Sequence, residues 1–523
     1  MKDTAATRWD HLQEYRQTAL RRAIDCSKLT LPSLIPESSL NDPLTATHNK
    51  LRSNYQGVGS RGVSQLSAKL LLALYPPSIP FFRLTMDAGK VRDYVQRNGI
   101  DETDVVSKLD SVLSKMERQI LQKLDLLQTR AAVVEALKHL LVGGNALIYA
   151  GRDRMRVYGL RSYCVDRDPE GNVTEIVLKE QVSRRYIPIK LTNAEDESDD
   201  RAAVYTHVNV DPDQDRVEWY QECQGKKLPN SNGFSRIDTN PWLPLRLHRI
   251  AGEPYGRSLV EDVINDLQSL ESLSQAIVEG SLVAARAVAL VNPNGTTRAD
   301  VLARADNGAI VAGNAADVEF LTVAKNNDFS TALQTMQLIE RRLQFAFLMD
   351  ETVQRNAERV TAAEIRMMAE SLERGLAGVY SVLSTELQLP LIRRVMFLME
   401  QANELPPIPP GLVEPQITTG LEAIGRGNDK ARLTSFLEVT AAALGPEQFI
   451  QYINPSELIR RFASADGIDT EGLVRTEEQL KAEQAQAQQA MLASQLTEGA
   501  IKNGATAAPA PPEAGAPAGA PSP

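Results

Sequence analysis

Near the middle of the chain, two stretches of helical period bracket a short, turn-rich insert. The first begins at Ser258, where S-x-x-E (Ser258 and Glu261) forms a capping box. Leu259, Val263, Leu267, Leu270, Ile277 and Val278 then recur at helical spacing. The pattern predicts a helix over 258–288, roughly 45 Å long at the usual rise per residue. A second helix is predicted over 328–348. Between them, residues 289–327 are punctuated by Gly and Asn and carry two strand-like runs, AIVAG and VEFLTV. A small mixed subdomain between two long helices makes a natural spoke, with the insert at its tip.

The segment before this arm divides in two. Residues 1–150 read as helices with Pro breaks: WDHLQEYRQTALRRAIDCSKL, SRGVSQLSAKLLLALYPP, VSKLDSVLSKMERQILQKLDLL and TRAAVVEALKHLLVGGNALIYA, the last with Gly143 and Gly144 as its stop. Over 155–250 the period changes to two. MRVYGL, YCVDRD, TEIVLKEQV, AVYTHVNV and VEWYQECQ are short β-branched or aromatic runs, separated by the turn sequences DPEGN and DPDQD. They predict antiparallel hairpins. The acidic run AEDESDD at 194–200 is expected to be a solvated loop.

After the arm comes MDETVQRNAERVTAAEIRMMAESL, residues 349–372. A polar loop with Arg355 and Arg359 sits among Asp350, Glu351, Glu358 and Glu364. Thr361 and Glu364 form a second capping box. Ile365, Met368, Leu372, Leu376, Val379, Leu383 and Leu387 then line one helical face. Gly375 and Gly378 weaken that helix, and Pro390 is expected to kink or end it. LIRRVMFLMEQANEL is a further helix, stopped by PPIPP. Residues 420–480 read as a small helical unit. From about 481 the chain is Ala/Gln- and then Ala/Pro/Gly-rich, a composition with no core-forming face.

Length and composition then exclude several classes. The 523 residues allow two to four domains, and 43% hydrophobic with 24% charged residues is ordinary for a globular protein. A net charge of −10 argues against a surface that grips free nucleic acid. Cys26, Cys164 and Cys223 form no CxxC pair and fit a reducing compartment. The charged N-terminus does not read as a signal peptide, and no apolar run approaches the roughly 18 residues of a membrane span.

No catalytic signature emerges. GVGSRG at 57–62 spells a dinucleotide fingerprint, but polar LRSNYQ precedes it where a strand is required, so a helix-entry turn is the better reading. GLEAIGRG at 420–427 imitates a phosphate loop, yet Arg426-Gly427 stands where Lys-Ser/Thr is needed. DPDQDRVEW at 211–219 lacks the Gly and Glu of a calcium loop. His11, His48, His139, His207 and His248 show no metal spacing. The expectation is a protein that is not an enzyme, with no metal and no cofactor. A nucleotide-binding enzyme using one of the two glycine loops is the alternative.

Longer stretches carry a resemblance. VGSRGVSQLSAKLLLALYP, VEALKHLLVGGNALIY, YTHVNVD, GEPYGRSLVEDVINDLQSLESLSQAIVEGS, VQRNAERVTAAEIR, GVYSVLSTELQLPLIRRV and ITTGLEAIGRGND resemble the portal, or head-to-tail connector, proteins of short-tailed bacteriophages. The resemblance spans roughly residues 10–480. It implies a mainly helical α+β subunit assembled as a ring of twelve at one capsid vertex. Its parts would be a wing (1–257), a stem helix (258–288), a clip (289–327), a second stem helix (328–348), a tunnel loop (349–363), a long wing helix with its continuation (364–404) and a crown (405–480), followed by the low-complexity tail (481–523).

The resemblance also implies a role and partners. Double-stranded DNA would pass through the ring during packaging and ejection. The clip, with Arg298 and Arg304, would dock the terminase large subunit and later the tail adaptor. Major capsid, scaffolding and internal core proteins would be further partners, with no membrane contact. The location would be the virion, after assembly in the host bacterial cytoplasm. Gln354, Arg355, Asn356 and Arg359 would face the channel, braced by the cap at Thr361 and Glu364. Two arginines against four acids make such a loop a weak phosphate contact past which a duplex slides.

Overall fold

The computed structural model describes residues 4–36, 54–76, 81–86, 102–189, 201–284, 288–306, 309–321, 326–349, 379–405, 413–417 and 433–443, with 458–459 and 462. The chain divides into two compact units, Met1–Ile424 and Gly425–Pro523. In the second, residues 433–443 are helical. GLEAIGRG, AEDESDD, most of the expected crown and the terminal tail lie outside the described residues.

The first unit opens with α1 (Ala5–Leu29), capped by the Thr4 hydroxyl, which accepts from the Thr7 N–H. Next come α2 (Val58–Leu74), β1 (Phe82–Met86), α3 (Glu102–Leu126) and α4 (Thr129–Gly143). Gly144, at φ 72°, ends α4 in the left-handed conformation that glycine adopts without cost. A Cβ there would lie 2.6 Å from the Gly256 carbonyl oxygen and from the Arg257 backbone.

After α4 comes β2 (Asn145–Ala150), a strand in a stretch that the sequence reads as helical. The period-two region then forms the expected hairpins: β3 (Met155–Tyr158), β4 (Tyr163–Arg167), β5 (Val173–Ser183), β6 (Arg201–Asp211), β7 (Arg216–Cys223), β8 (Lys226–Lys227), β9 (Gly233–Ser235) and β10 (Trp242–Arg246). Strands β4 to β8 make one antiparallel sheet in sequence order, with β9 paired to β7. A second antiparallel sheet has the order β10-β2-β3. The turns behave as their side chains dictate. Asp168 accepts from the Asn172 N–H at 2.7 Å, and Asp211 accepts from Asp213 and Gln214 at 3.1 and 3.3 Å. DPDQD is thus a hairpin turn whose carboxylate bonds its own backbone.

The arm follows: α5 (Leu259–Asp262), α6 (Ile264–Ala284), β11 (Val288–Val291), α7 (Ala299–Ala303), β12 (Val318–Leu321) and α8 (Asn326–Ala346). The predicted helix over 258–288 is therefore two helices, broken at Val263, whose φ of −112° leaves the helical range. Of the two runs predicted as strands in the insert, VEFL is one and AIVAG is not. VALV at 288–291 pairs with VEFL instead, Val288 opposite Leu321. Last come α9 (Val379–Leu383), a π-turn (Ser384–Gln388), α10 (Leu389–Gln401) and β13 (Val413–Ile417). Pro390 does not end the helix. It occupies the first turn of α10, and the wider π-turn before it absorbs the change of hydrogen bonding.

Two large cores and two small clusters hold the unit together. The larger joins α2, α3 and α4 to the roots of α6 and α8 and to α9 and α10, through Leu66, Leu70, Leu137, Leu140, Leu267, Leu343 and Leu387. The second seats α1 on the long sheet through Leu20, Ile24, Tyr163, Val165 and Ile176. Strand β13 pairs with β1, Phe82 opposite Ile417, so residues 413–417 join the N-terminal part of the unit.

Candidate functional site

The arm is antiparallel, and its two ends show how close the helices come. Near the root, the Arg342 guanidinium meets Asp266 at 3.0 Å. Toward the tip, a Cβ on Gly280 would lie 2.7 Å from the Phe329 ring, so α6 and α8 touch backbone to side chain there. A side chain at 280 would force the Phe329 ring to move.

At the root, the Ser258 hydroxyl accepts from the Glu261 N–H at 3.0 Å, half of the expected capping box. The Glu261 carboxylate does not return to the cap. Arg257 takes it at 2.5 Å and Arg22 of α1 at 3.4 Å. Glu271, also on α6, is nearly buried and accepts from the N–H groups of Tyr55 and Gln56 at 3.1 and 3.2 Å. A carboxylate of the chain itself thus binds the backbone that enters GVGSRG. The glycines there serve packing. A Cβ at Gly59 would strike the Leu29 carbonyl oxygen at 2.6 Å, and one at Gly62 the Phe347 ring at 2.6 Å. The helix-entry reading of this motif holds: Gly57 is the N-cap of α2, which begins at Val58.

The end of α8 sets where the following loop departs. Leu348 N–H bonds Phe345 O at 3.1 Å and Met349 N–H bonds Gln344 O at 2.8 Å, the paired bonds of a Schellman motif. Leu348 occupies the left-handed position, φ 51°, usually filled by glycine. Lys69 of α2 donates to the Leu348 carbonyl. Phe347, beside it, is wholly buried. The chain is therefore clamped on both sides one residue before the polar loop begins. Gln354, Arg355, Asn356, Arg359, Thr361 and Glu364 lie outside the described residues.

At the tip, one carboxylate organises the insert. Asp317 accepts from the Thr296 and Thr297 N–H groups at 2.8 and 3.1 Å and from both hydroxyls at 3.1 and 3.2 Å. Partial desolvation raises its pKa, but these bonds outweigh it and the net shift is down. Arg298 and Arg304 stand at the two ends of the short helix α7. Arg298 is 76% exposed and paired with Asp300 at 3.1 Å, so part of its charge is met within the chain. Arg304 is exposed.

Sequence reading did not find the polar cluster that ties α9 and α10 to the sheets. At the π-turn, Glu386 accepts from the Arg246 N–H and guanidinium, both at 3.1 Å. Nearby, Arg167 is pushed down to about 10, first by burial and then by Arg246. Arg394 donates to the Ala150 and Thr239 carbonyls at 3.3 and 3.2 Å. A lone Glu or Arg on a helical pattern carries no signal of its partner 140 residues away.

Among the described residues there is no cluster of His, Cys, Asp and Glu able to hold a metal, and no helix long and apolar enough to cross a membrane. The three cysteines are free and buried.

The bacteriophage head to tail connecting protein family matches residues 2–474. The portal protein of Enterobacteria phage T3 is 38% identical over 492 residues, covering 92% of this chain and 90% of that protein. That of Escherichia phage T7 is 38% identical over 498 residues, covering 93% and 90%. The portal protein of Enterobacteria phage SP6 is 28% identical over 509 residues, covering 94% of each. Among solved structures, a chain from the neck of the empty GTA particle aligns at 13% identity and a TM-score of 0.37, covering 85% of this chain and 94% of that one. On the match of family and relatives along nearly its whole length, the chain belongs to the bacteriophage head to tail connecting proteins and is a structural component of the phage particle, not an enzyme.

Proposed function

We propose that the chain assembles as a ring of twelve at one capsid vertex and that double-stranded DNA passes through its channel, inward at packaging and outward at ejection. The observation that carries this reading is the uncovered apolar surface of the arm. Val278, Leu282, Leu333, Leu338 and Phe345 are 44, 62, 47, 61 and 80% exposed. Apolar faces of this kind mark protein interfaces, and arms set side by side around an axis cover one another. The likeness to the T3 and T7 portal proteins supports the same reading.

The charge pattern fits a conduit. Residues 264–284 hold Asp266, Glu271 and Glu279 and no Lys or Arg. With Asp266 paired to Arg342 and Glu271 buried, Glu279 is the exposed acid of this helix, and a helix with no cation of its own gives phosphate little to hold. In this reading α6 and α8 are the stem, 289–327 the clip, and 349–363 the tunnel loop, whose Gln354, Arg355, Asn356 and Arg359 touch the duplex weakly. Thr361 and Glu364 cap the helix behind it. The clip, with Arg298 and Arg304, docks the terminase large subunit and then the tail adaptor. The rest of the ring meets major capsid, scaffolding and internal core proteins, and assembly takes place in the host cytoplasm. Electron microscopy of the purified protein tests the reading. Rings with a central hole are expected, and monomers or small dimers at every concentration would overturn it.

A further inference from the structure

The insert at the arm's tip carries a strand-like segment without a strand partner. Residues 309–312 are Ala-Ile-Val-Ala, and they belong to no sheet among the described residues. Ile310 is fully exposed. Its own ribbon, β11 with β12, has only two strands, so each keeps one edge open among the described residues. The two edges differ. Strand β12 carries Glu319, exposed, a charge of the kind that blunts an edge against pairing. Strand β11 is Val-Ala-Leu-Val, with Leu290 49% exposed and no charge to protect it. An apolar edge of four residues and an apolar unpaired segment of four residues match in length and chemistry.

The segment is held away from its own ribbon. Asn314 is tied to Thr297 twice: its N–H donates to the Thr297 hydroxyl at 2.8 Å, and that hydroxyl bonds its carbonyl at 3.1 Å. A Cβ on Gly313 would lie 2.6 Å from the Thr297 hydroxyl, so the backbone is pressed against it. Asn292 N–H bonds Asp317 O at 2.9 Å and closes the same end of the ribbon. The chain before 313 therefore leaves from the turn end of β11; Ala309 N–H bonds Asp306 O at 2.9 Å, and Ile310, Val311 and Ala312 make no backbone hydrogen bond among the described residues.

We infer that residues 309–312 add as a third strand to the open edge of β11 in a second copy of this chain, so that each tip completes its neighbour's sheet. This rests on the ring assembly proposed above and names a contact within it. Main-chain hydrogen bonds would supply the attraction, and the alternating side chains the register.

Paired cysteines test it. Leu290→Cys is combined with Ile310→Cys, and in a second chain with Val311→Cys to allow for register. The native thiols are buried, so they add little background. Under mild oxidation the purified double variants should give a ladder of covalent multimers on non-reducing gels, with at least a tenfold excess over either single variant. Mixing a tagged Leu290→Cys chain with an untagged Ile310→Cys chain before assembly should give crosslinks joining tagged to untagged subunits. Rings seen by microscopy with no ladder, or with crosslinks only within single chains, would overturn the strand exchange and leave the ring standing. Absence of rings would overturn both.

Discussion

Phe345 and Phe347 stand two residues apart at the end of α8, and the first is 80% exposed while the second is wholly buried against Gly62. The same contrast divides the whole unit. In the body, Leu70, Leu137, Leu140 and Leu387 are 0 or 1% exposed, whereas on the arm Leu282 and Leu338 are 62 and 61% exposed. The residue types are alike and the surroundings are not. The body's apolar residues are satisfied within one chain. Those of the arm stay uncovered in the single chain, and in the proposed ring neighbouring arms would cover them, so folding and assembly would be written in adjacent helical turns.

The strongest way to break this comparison is at that pair. Phe347→Ala should cost about 3–5 kcal/mol of stability by opening a cavity beside Gly62. Phe345→Ala should change the stability of the dissociated subunit by less than about 0.5 kcal/mol, yet reduce ring formation. Thermal melts and particle mass read the two effects. Equal losses of stability from both variants would erase the distinction between body and arm.

A smaller effect lies within the body. Burial raises the Glu175 carboxyl, but His207 at 2.5 Å and Arg8 overcome it and hold it down at about 2. A carboxyl depressed by folding contributes stability that is fully present above its unfolded value near 4.5 and is lost as pH falls toward 2. That contribution is at most roughly 3 kcal/mol. Melting temperature should therefore fall more steeply between pH 5 and pH 3 in the native protein than in Glu175→Gln. Parallel curves would mean that the triad carries no such linkage.

At the arm's root, Ser258→Ala removes a helix cap and should cost about 1 kcal/mol. Urea unfolding measures it, and a loss below about 0.3 kcal/mol would mean that the Arg257–Glu261 pair alone sets the start of α5. The smallest change in stability is expected for exposed charges. Arg298→Ala should leave unfolding within about 0.5 kcal/mol, because exposed ion pairs contribute little. It should weaken capture of the packaging motor or tail adaptor. Removing Arg355 and Arg359 together should spare rings and alter DNA retention. Glu358→Lys should slow DNA movement most at low salt. Unchanged packaging and ejection at every salt concentration would remove the loop from the channel.

What could be read from sequence follows from range. The hairpins over 155–250 were legible because turn residues and period-two runs are neighbours. The pairing of β1 with β13 was not, since Phe82 and Ile417 meet across most of the unit and neither run is distinctive alone. AIVAG and VALV have equal strand character. The bonds of Asp317, Asn292 and Thr297 decide which one pairs within the chain, and a lone Asp does not advertise them. Glu261 was assigned to the cap by spacing, but Arg257 and Arg22 compete for it. The arm was legible as two helices around an insert, while the break at Val263 was not, because one non-helical residue leaves the apolar period intact.

The π-turn at 384–388 has a rotational consequence. Val379, Leu383, Leu387, Leu391, Val395 and Met399 recur at every fourth position, and each is no more than 3% exposed. In an uninterrupted α-helix such a row drifts by about 40° at each step, so it would wind from the core out to solvent within a few turns. The wider turn advances less per residue and takes back part of that drift midway along the row. Deleting Thr385 would close the wide turn into a uniform helix, keep Leu391 and Val395 in nearly the same phase against α9, and shorten the pair of helices by one residue's rise, roughly 1.5 Å. The extra residue is a phase correction, the means by which one straight apolar stripe serves two consecutive helices.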